Sequence, residues 1–212
     1  MTTTLNPPVK SARKAKGDGH TRRSEILRAA ERIFLAEGYE GATIRKIAEE
    51  VGVSSTCLYM HFRDKDEILL EICTSAIGQL QEISEAIAAL PIDAVERLRR
   101  MLEAYVAFAL DNPNSYRVVF CQAPGAPRPE AGGQRAHDLG MACKARFLGV
   151  VQEIAAEGRL RRGDPIGVHQ AMWSACHGLA TLRITKAELD WAPAEELTGL
   201  LVDGLLFGLV SD

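Results

Sequence analysis

The sequence predicts an all-α fold, and three observations carry that prediction. From Thr21 onward apolar residues recur at three- and four-residue steps almost without interruption. No segment sustains the two-residue alternation of a half-buried strand. Gly, Pro, Asp, Ser and Thr fall where helices of ordinary length must start and stop. With 212 residues, 47% hydrophobic and 25% charged, the chain is long and apolar enough to bury a core without disulfide staples. No apolar run reaches the roughly 18–20 residues of a membrane span; the longest, 199–210, is interrupted by Asp203. The N-terminus lacks the charged-then-apolar layout of a signal peptide, and the five cysteines (57, 73, 121, 143 and 176) are an odd number without a CxxC pair. A cytoplasmic chain with reduced thiols and no membrane partner is expected.

Taken in order, residues 1–20 hold Pro7, Pro8, Lys10, Arg13, Lys14 and Lys16 and almost no large apolar groups, so a disordered basic arm is expected. It reads equally as a solubilising tail or as an arm touching DNA. Ile26, Leu27, Ala30, Ile33 and Phe34 make one face of a first helix that stops at Gly38. A short second helix carries Ile44, Ile47, Ala48 and Val51 between an N-cap at Thr43 and a left-handed stop at Gly52. Ser54 caps a third, bearing Leu58 and Tyr59. Asp64 and Glu67 resemble a capping box opening a long fourth helix through Leu69, Ile72, Ala76, Leu80, Ile83, Ile87 and Leu90 to Pro91. A fifth runs from Asp93 through Leu98, Met101, Tyr105 and Phe108 to Asn112-Pro113, and a short sixth covers 116–120. Three prolines and three glycines make 122–133 a loop. Phe147, Val150, Val151 and Ile154 mark a helix closing at Gly158. Asp164-Pro165 opens another through Ile166, Trp173, Ala180 and Ile184, and Pro193 opens the last.

The stretch 43–62 carries the functional signal: two short helices joined by Gly52-Val53-Ser54 form a helix-turn-helix, whose second helix fits a major groove. With Ile47, Ala48, Val53 and Leu58 turned inward, the second helix presents Ser55, Thr56, Cys57, Tyr59 and His61, a face with neither Glu nor Lys. Charge agrees: residues 1–65 hold 12 Lys/Arg against 8 Asp/Glu, while 66–212 hold 13 against 20, within a formal net charge of −3.

On Thr43, Ile47-Ala48, Gly52-Val53-Ser54, Leu58-Tyr59, His61-Phe62 and Lys65, residues 21–70 resemble the DNA-binding domain of the TetR family of transcriptional regulators. Thr56 and Cys57 depart from the glycine and the threonine or serine often found there, so an operator sequence is not carried over. Trp173-x-x-x-His177-Gly178 looks like a segment recurring in one subgroup of the C-terminal domains. The resemblance implies about nine helices in a homodimer, with a helix-turn-helix DNA-binding domain over 21–65 and a helical ligand-binding and dimerisation domain over 66–212. It further implies that a ligand weakens operator binding, hence a repressor released by its effector.

Chemistry then suggests roles. Thr43 can combine capping with a phosphate contact, and Arg45 can reach a phosphate or a guanine. Ser55, Thr56 and Cys57 lie toward the bases, with the capping Ser54 in the same DNA-binding set, Tyr59 and His61 toward phosphates, and Lys65 toward a phosphate at the start of the fourth helix. Cys57 is either a small side chain that fits or a redox-sensitive one. Met101, Tyr105, Phe108, Tyr116, Phe120, Met141, Phe147, Trp173 and His177 are a surplus of large groups suited to a pocket for a small hydrophobic or aromatic effector, with Tyr105, Tyr116 or His177 binding its polar end. The 122–133 loop would gate entry, and the long fourth helix would link pocket to head. The last helix is apolar all round, so Leu197, Leu201, Gly204, Leu205 and Gly208 are expected at a two-fold interface shared with the 166–184 helix.

Other classes find less support. There is no Gly-rich phosphate loop after a strand, no GxSxG and no HExxH, so neither an enzyme nor a cofactor is expected. His169, Trp173, Cys176 and His177 share a helical face, but without a carboxylate they read as core rather than as metal ligands. The alternatives are a small-molecule-binding or catalytic helical protein with a vestigial helix-turn-helix, and a constitutive DNA-binding protein without an effector.

Overall fold

The computed structural model describes residues 19–120 and 130–211. Among them lie nine helices and no strand: α1 (Gly19–Gly41), α2 (Ile44–Val51), α3 (Ser55–Tyr59), α4 (Lys65–Ala88), α5 (Ala94–Asp111), α6 (Pro113–Phe120), α7 (Glu130–Ala156), α8 (Pro165–Thr185) and α9 (Ala194–Leu209). One isolated antiparallel bridge, Leu160 with Val210, ties the end of α9 to the α7–α8 connection. The basic arm read in the first residues and the first part of the 122–133 loop lie outside the described residues. None of the described helices is long and apolar enough to cross a membrane. Cys57, Cys143 and Cys176 are free thiols.

The helix ends follow the caps in the sequence. Thr43 accepts from the Lys46 amide, Ser54 from Cys57 and Asp64 from Glu67, each satisfying an otherwise orphan N–H. Gly52 stops α2 at φ 75°, a left-handed conformation that disfavours any side chain. Gly38, at φ 71° and ψ 175°, breaks the helical path inside α1 where the apolar face ends. Asp164 accepts from both Ile166 and Gly167 ahead of Pro165.

One element departs from expectation. Helix α7 begins at Glu130, so 130–133 is helical rather than loop, and it runs 27 residues to Ala156. The apolar signal before Phe147 is carried by small residues (Ala136, Gly140, Cys143), which give little hydropathy but let α7 lie along α4.

Two cores form. The head buries Ile26, Ala29, Ala30 and Phe34 of α1, Ile47 and Ala48 of α2, Leu58 of α3 and Phe62 beyond it. Ile68, Leu69 and Ile72 of α4 and Val118 of α6 belong to the same cluster, so the packing of the head continues past residue 65. The body core is built from α5, α7, α8 and α9 around Leu98, Leu102, Val106, Val151, Ile154, Met172, Val202 and Leu206. Each such side chain contributes roughly 1.5–3 kcal/mol of burial.

A polar clamp fastens α1 across the head. Arg23 donates to both carboxylate oxygens of Glu71 on α4 and, at 2.6 Å, to the His61 carbonyl, with its guanidinium 4.1 Å from the centre of the Phe62 ring. Neither partner was evident from sequence spacing, because Arg23 and Glu71 are 48 residues apart. Arg23→Ala is expected to destabilise the head by about 1–2 kcal/mol, since the Glu71 carboxylate and a backbone carbonyl lose a charged donor; urea unfolding followed by far-UV circular dichroism reads this loss.

Candidate nucleic-acid interface and effector cavity

On the head, the outward face of α3 and its flanks presents Thr56 and Tyr59 exposed, with Ser55, Cys57 and His61 half-buried. Met60, 81% exposed at the end of α3, extends this face and was not anticipated. Thr43 and Ser54 are exposed and serve as N-caps, so both hydroxyls already accept a backbone N–H while their own protons stay free to donate. Arg45 points to solvent with only a long i,i+4 contact to Glu49 at 3.5 Å. Lys65 is different. Its ammonium donates to the carbonyls of Tyr39 (2.8 Å) and Ala42 (3.3 Å) and sits 4.1 Å from the centre of the Tyr39 ring, while Tyr39 donates to Asp66. The residue read from sequence as a phosphate contact therefore first fixes the α1–α2 corner against α4, leaving one donor uncommitted.

Within the body a cavity of about 460 Å³ opens between α4, α5, α6, α7 and α8. Of the nine residues expected to line a pocket, Met101, Tyr105, Phe120, Phe147 and Trp173 do so. Phe108 is instead buried against Ala76 and Leu80, and Met141 is turned to solvent on α7. Tyr116 is fully buried with Ala109 and Ala180, and His177 packs beside it; neither is among the lining residues. The cavity wall also holds Ile77, Leu80 and Ser84 of α4, Cys143 and Lys144 of α7, and His169, Gln170, Ser174 and Cys176 of α8. Ile77, Leu80 and Ser84 could have been found as the α4 face beyond the head core; Cys143 and Lys144 lie in a part of α7 for which the sequence offered no marked apolar face.

The three proposed polar anchors are engaged with one another. The Tyr105 hydroxyl lies 3.0 Å from both the Tyr116 hydroxyl and His177 Nδ1, and the Tyr116 hydroxyl also reaches His177 Nδ1. The rings of Trp173 and Phe120 flank His177 at 5.4 and 5.7 Å. Burial pulls the His177 imidazole below its ordinary range, and burial together with the adjacent Tyr116 pushes the Tyr105 phenol far up, so the cluster is neutral. His169, by contrast, is 4% exposed, has its ring 4.6 Å from that of Phe147 and leaves Nδ1 buried without a hydrogen-bond partner. Burial, and secondarily the Lys144 charge, lower its pKa. Burial pushes the Cys176 thiol up to about 12 and also raises Cys143, so both are thiols rather than thiolates at neutral pH. No cluster of three metal-ligating side chains occurs among the described residues.

On the last helix, the residues expected at a two-fold interface differ in exposure. Leu201 and Leu205 pack against the body core, and Leu197 and Gly208 are half-buried. The exposed line on α9 is Leu200 (64% exposed), Gly204 and Phe207 (81%), spaced at i, i+4 and i+7. All-round hydrophobicity cannot tell which stripe faces inward, and the choice of register is made by Val202 and Leu206 entering the core.

A compact helix-turn-helix head built onto a helical body with an internal apolar cavity defines a two-domain bacterial regulator. Residues 26–72 match the family of bacterial regulatory proteins of the tetR type, and residues 98–205 match the tetracyclin repressor-like C-terminal domain. The chain belongs to the TetR family. It is 30% identical to the nucleoid occlusion factor SlmA of Vibrio vulnificus over 73% of this chain and 76% of that protein. Over 29% of this chain and 33% of the other it is 40% identical to the transcriptional repressor AcnR of Corynebacterium diphtheriae. The chain spans a third to just under half the length of the first curated relatives it matches. The crystal structure of the TetR-family regulator PfmR from Thermus thermophilus superposes with a TM-score of 0.73 at 25% identity, over 90% of this chain and 98% of that one.

Tyr116→Phe removes a buried hydroxyl shared by Tyr105 and His177, so it is expected to lower stability by about 1–2 kcal/mol. The ring itself is kept, and the change is measured as a fall in the denaturant midpoint without a change in slope.

Proposed function

We propose that this protein is a homodimeric, ligand-responsive transcriptional regulator that binds operator DNA through the α2–α3 helix-turn-helix and is released by a small hydrophobic effector, that is, a repressor acting in the cytoplasm beside the chromosome. Curated relatives include both repressors and an activator. Release on ligand binding favours the repressor reading.

One observation carries the proposal: the head core and the cavity wall share two helices. On α4, Ile72 fills the head while Ile77 and Leu80 line the cavity little more than a turn later. On α6, Val118 enters the head core, Phe120 the cavity wall, and Ser115 donates to Glu31 of α1. A ligand pressing on Ile77 or Phe120 therefore acts on helices that the head cannot do without. Close-packed cores respond to such pressure by shifting whole elements. The switch requires that the ligand bind more tightly to the arrangement that fits DNA poorly, since equal affinity for both shifts nothing.

On the DNA side, Thr56 and Cys57 read base edges, Arg45, Tyr59 and His61 hold phosphates, and the remaining donor of Lys65 faces the backbone. Thr56→Ala is expected to change base preference by about 1–3 kcal/mol at one position in each half-site without altering thermal stability. Lys65→Ala should weaken binding to all sequences and also lower the melting temperature, because the α1–α2 corner loses its tie. Mobility shifts on DNA immediately upstream of the protein's own gene, paired with melting curves, separate these outcomes; no shift with the unaltered protein would exclude the regulator reading.

The exposed Leu200–Gly204–Phe207 line on α9, with Ala171 and Leu182 open on α8, is the surface proposed to meet a second copy. A two-fold there would set two reading helices about 34–36 Å apart, one turn of DNA. Leu200→Glu is expected to yield a monomer by sedimentation with at least about tenfold weaker operator binding. An unchanged dimer would place the interface elsewhere.

A further inference from the structure

The cavity is not uniformly apolar, and its polar groups are of one kind. Ile77, Leu80, Met101, Leu102 and Phe120 form an apolar wall on α4, α5 and α6. The opposite side carries Lys144 of α7 with His169, Gln170 and Ser174 of α8. Lys144 is the one charged side chain among the described lining residues, which include no Asp or Glu. The neighbouring carboxylate Glu85 is occupied by Arg146 at 3.0 Å and by Gln81 at 3.0 Å, so it does not neutralise the lysine. Lys144 makes no ion pair among the described residues, and it lines the same cavity as His169, whose imidazole its charge helps to keep neutral. The His169 Nδ1 is buried with no partner. A buried polar nitrogen left open is costly, and it is relieved by a ligand group that hydrogen-bonds to it.

We propose that the effector is an organic monoanion, a carboxylate on an apolar body. Its carboxylate lies between the Lys144 ammonium and His169, and its body fills the space toward Met101 and Phe120. The inference rests on the effector reading given above and names its ligand class. An ammonium opposite no acid favours a negative charge, and the low polarity of the surrounding wall strengthens that preference relative to water. A neutral imidazole carries one N–H and can donate it to a carboxylate oxygen, while Gln170 and Ser174 supply further donors. A ligand cation would meet Lys144 unscreened. A neutral ligand would leave the ammonium without a counter-charge at the cavity edge. At about 30 Å³ per water-sized group, the volume accommodates a ligand of roughly fifteen non-hydrogen atoms.

The experiment uses the full chain carrying Trp191→Phe, so that Trp173 on the cavity wall is the remaining indole. It is titrated with dodecanoate and dodecan-1-ol, and with octanoate and octan-1-ol as a shorter pair, each below its aggregation limit. The expected result is quenching of Trp173 by the carboxylate of at least one pair at about tenfold or more lower concentration than by the matching alcohol. Lys144→Gln, a change at an exposed position, is expected to abolish that preference while the alcohol still binds. Equal affinity for acid and alcohol, unaffected by Lys144→Gln, overturns the anion assignment and leaves the effector reading standing. Binding of none of the four compounds also overturns the assignment. If a carboxylate binds with the expected Lys144 dependence yet leaves the mobility shift on upstream DNA unchanged, the anion assignment is upheld and the effector reading fails.

Discussion

The head of this protein cannot close its own core, and the rest of the structure depends on that constraint. Three helices, the third only five residues long, leave Leu58 and Phe62 facing a gap. A unit of that size buries too small a fraction of its surface to be well stabilised alone. Ile68, Leu69 and Ile72 of α4 and Val118 of α6 close it, and both helices continue into the walls of the cavity. The helix-turn-helix head and the cavity are therefore joined by packing rather than by a linker. The Arg23–Glu71 clamp, the Lys65 tie to the α1–α2 corner and the Ser115–Glu31 contact reinforce that joint with directional bonds between elements far apart in sequence.

The polar chemistry inside the body divides into two groups that sequence alone does not distinguish. Tyr105, Tyr116 and His177 satisfy one another, and their partners are buried aromatic rings, so this cluster holds α5, α6 and α8 in register. His169 sits two turns earlier on α8, is more deeply buried, and has no such partner at Nδ1. The same residue type on one helix is thus a structural fastener at one position and leaves a ring nitrogen unpartnered at another. The difference arises because α6 approaches α8 beside His177, while beside His169 the space is left to the cavity.

Where caps and apolar periodicity agree, the elements were legible in the chain. Thr43, Gly52, Ser54, Asp64 and Asp164 stand at the helix ends they were expected to mark, because capping satisfies local backbone groups and needs no tertiary partner. The outward set on α3 was likewise readable, since a short helix with Leu58 buried leaves few other faces. Legibility failed where small residues replace large ones. Before Phe147 the half-buried positions of α7 are mostly small (Ala136, Gly140 and Cys143, beside Leu139), so this part of the helix, and with it the Cys143 and Lys144 wall of the cavity, gave only a weak periodic signal. On α9, Leu197, Leu201 and Leu205 are as hydrophobic as Leu200 and Phe207, so periodicity did not separate the half-buried positions from the exposed ones.

By itself the sequence determined the all-helical class, the order of the helices and the turn that makes a helix-turn-helix, all consequences of local periodicity and of backbone hydrogen bonds satisfied within a few residues. Only the tertiary structure decided which aromatic residues face empty space and which fill the core, which face of α9 remains open, and that Lys65 is a brace while Lys144 is a free charge beside an unpaired imidazole. Those properties depend on which distant helix lies opposite a side chain. A periodicity states that a face is buried, and says nothing about what it is buried against.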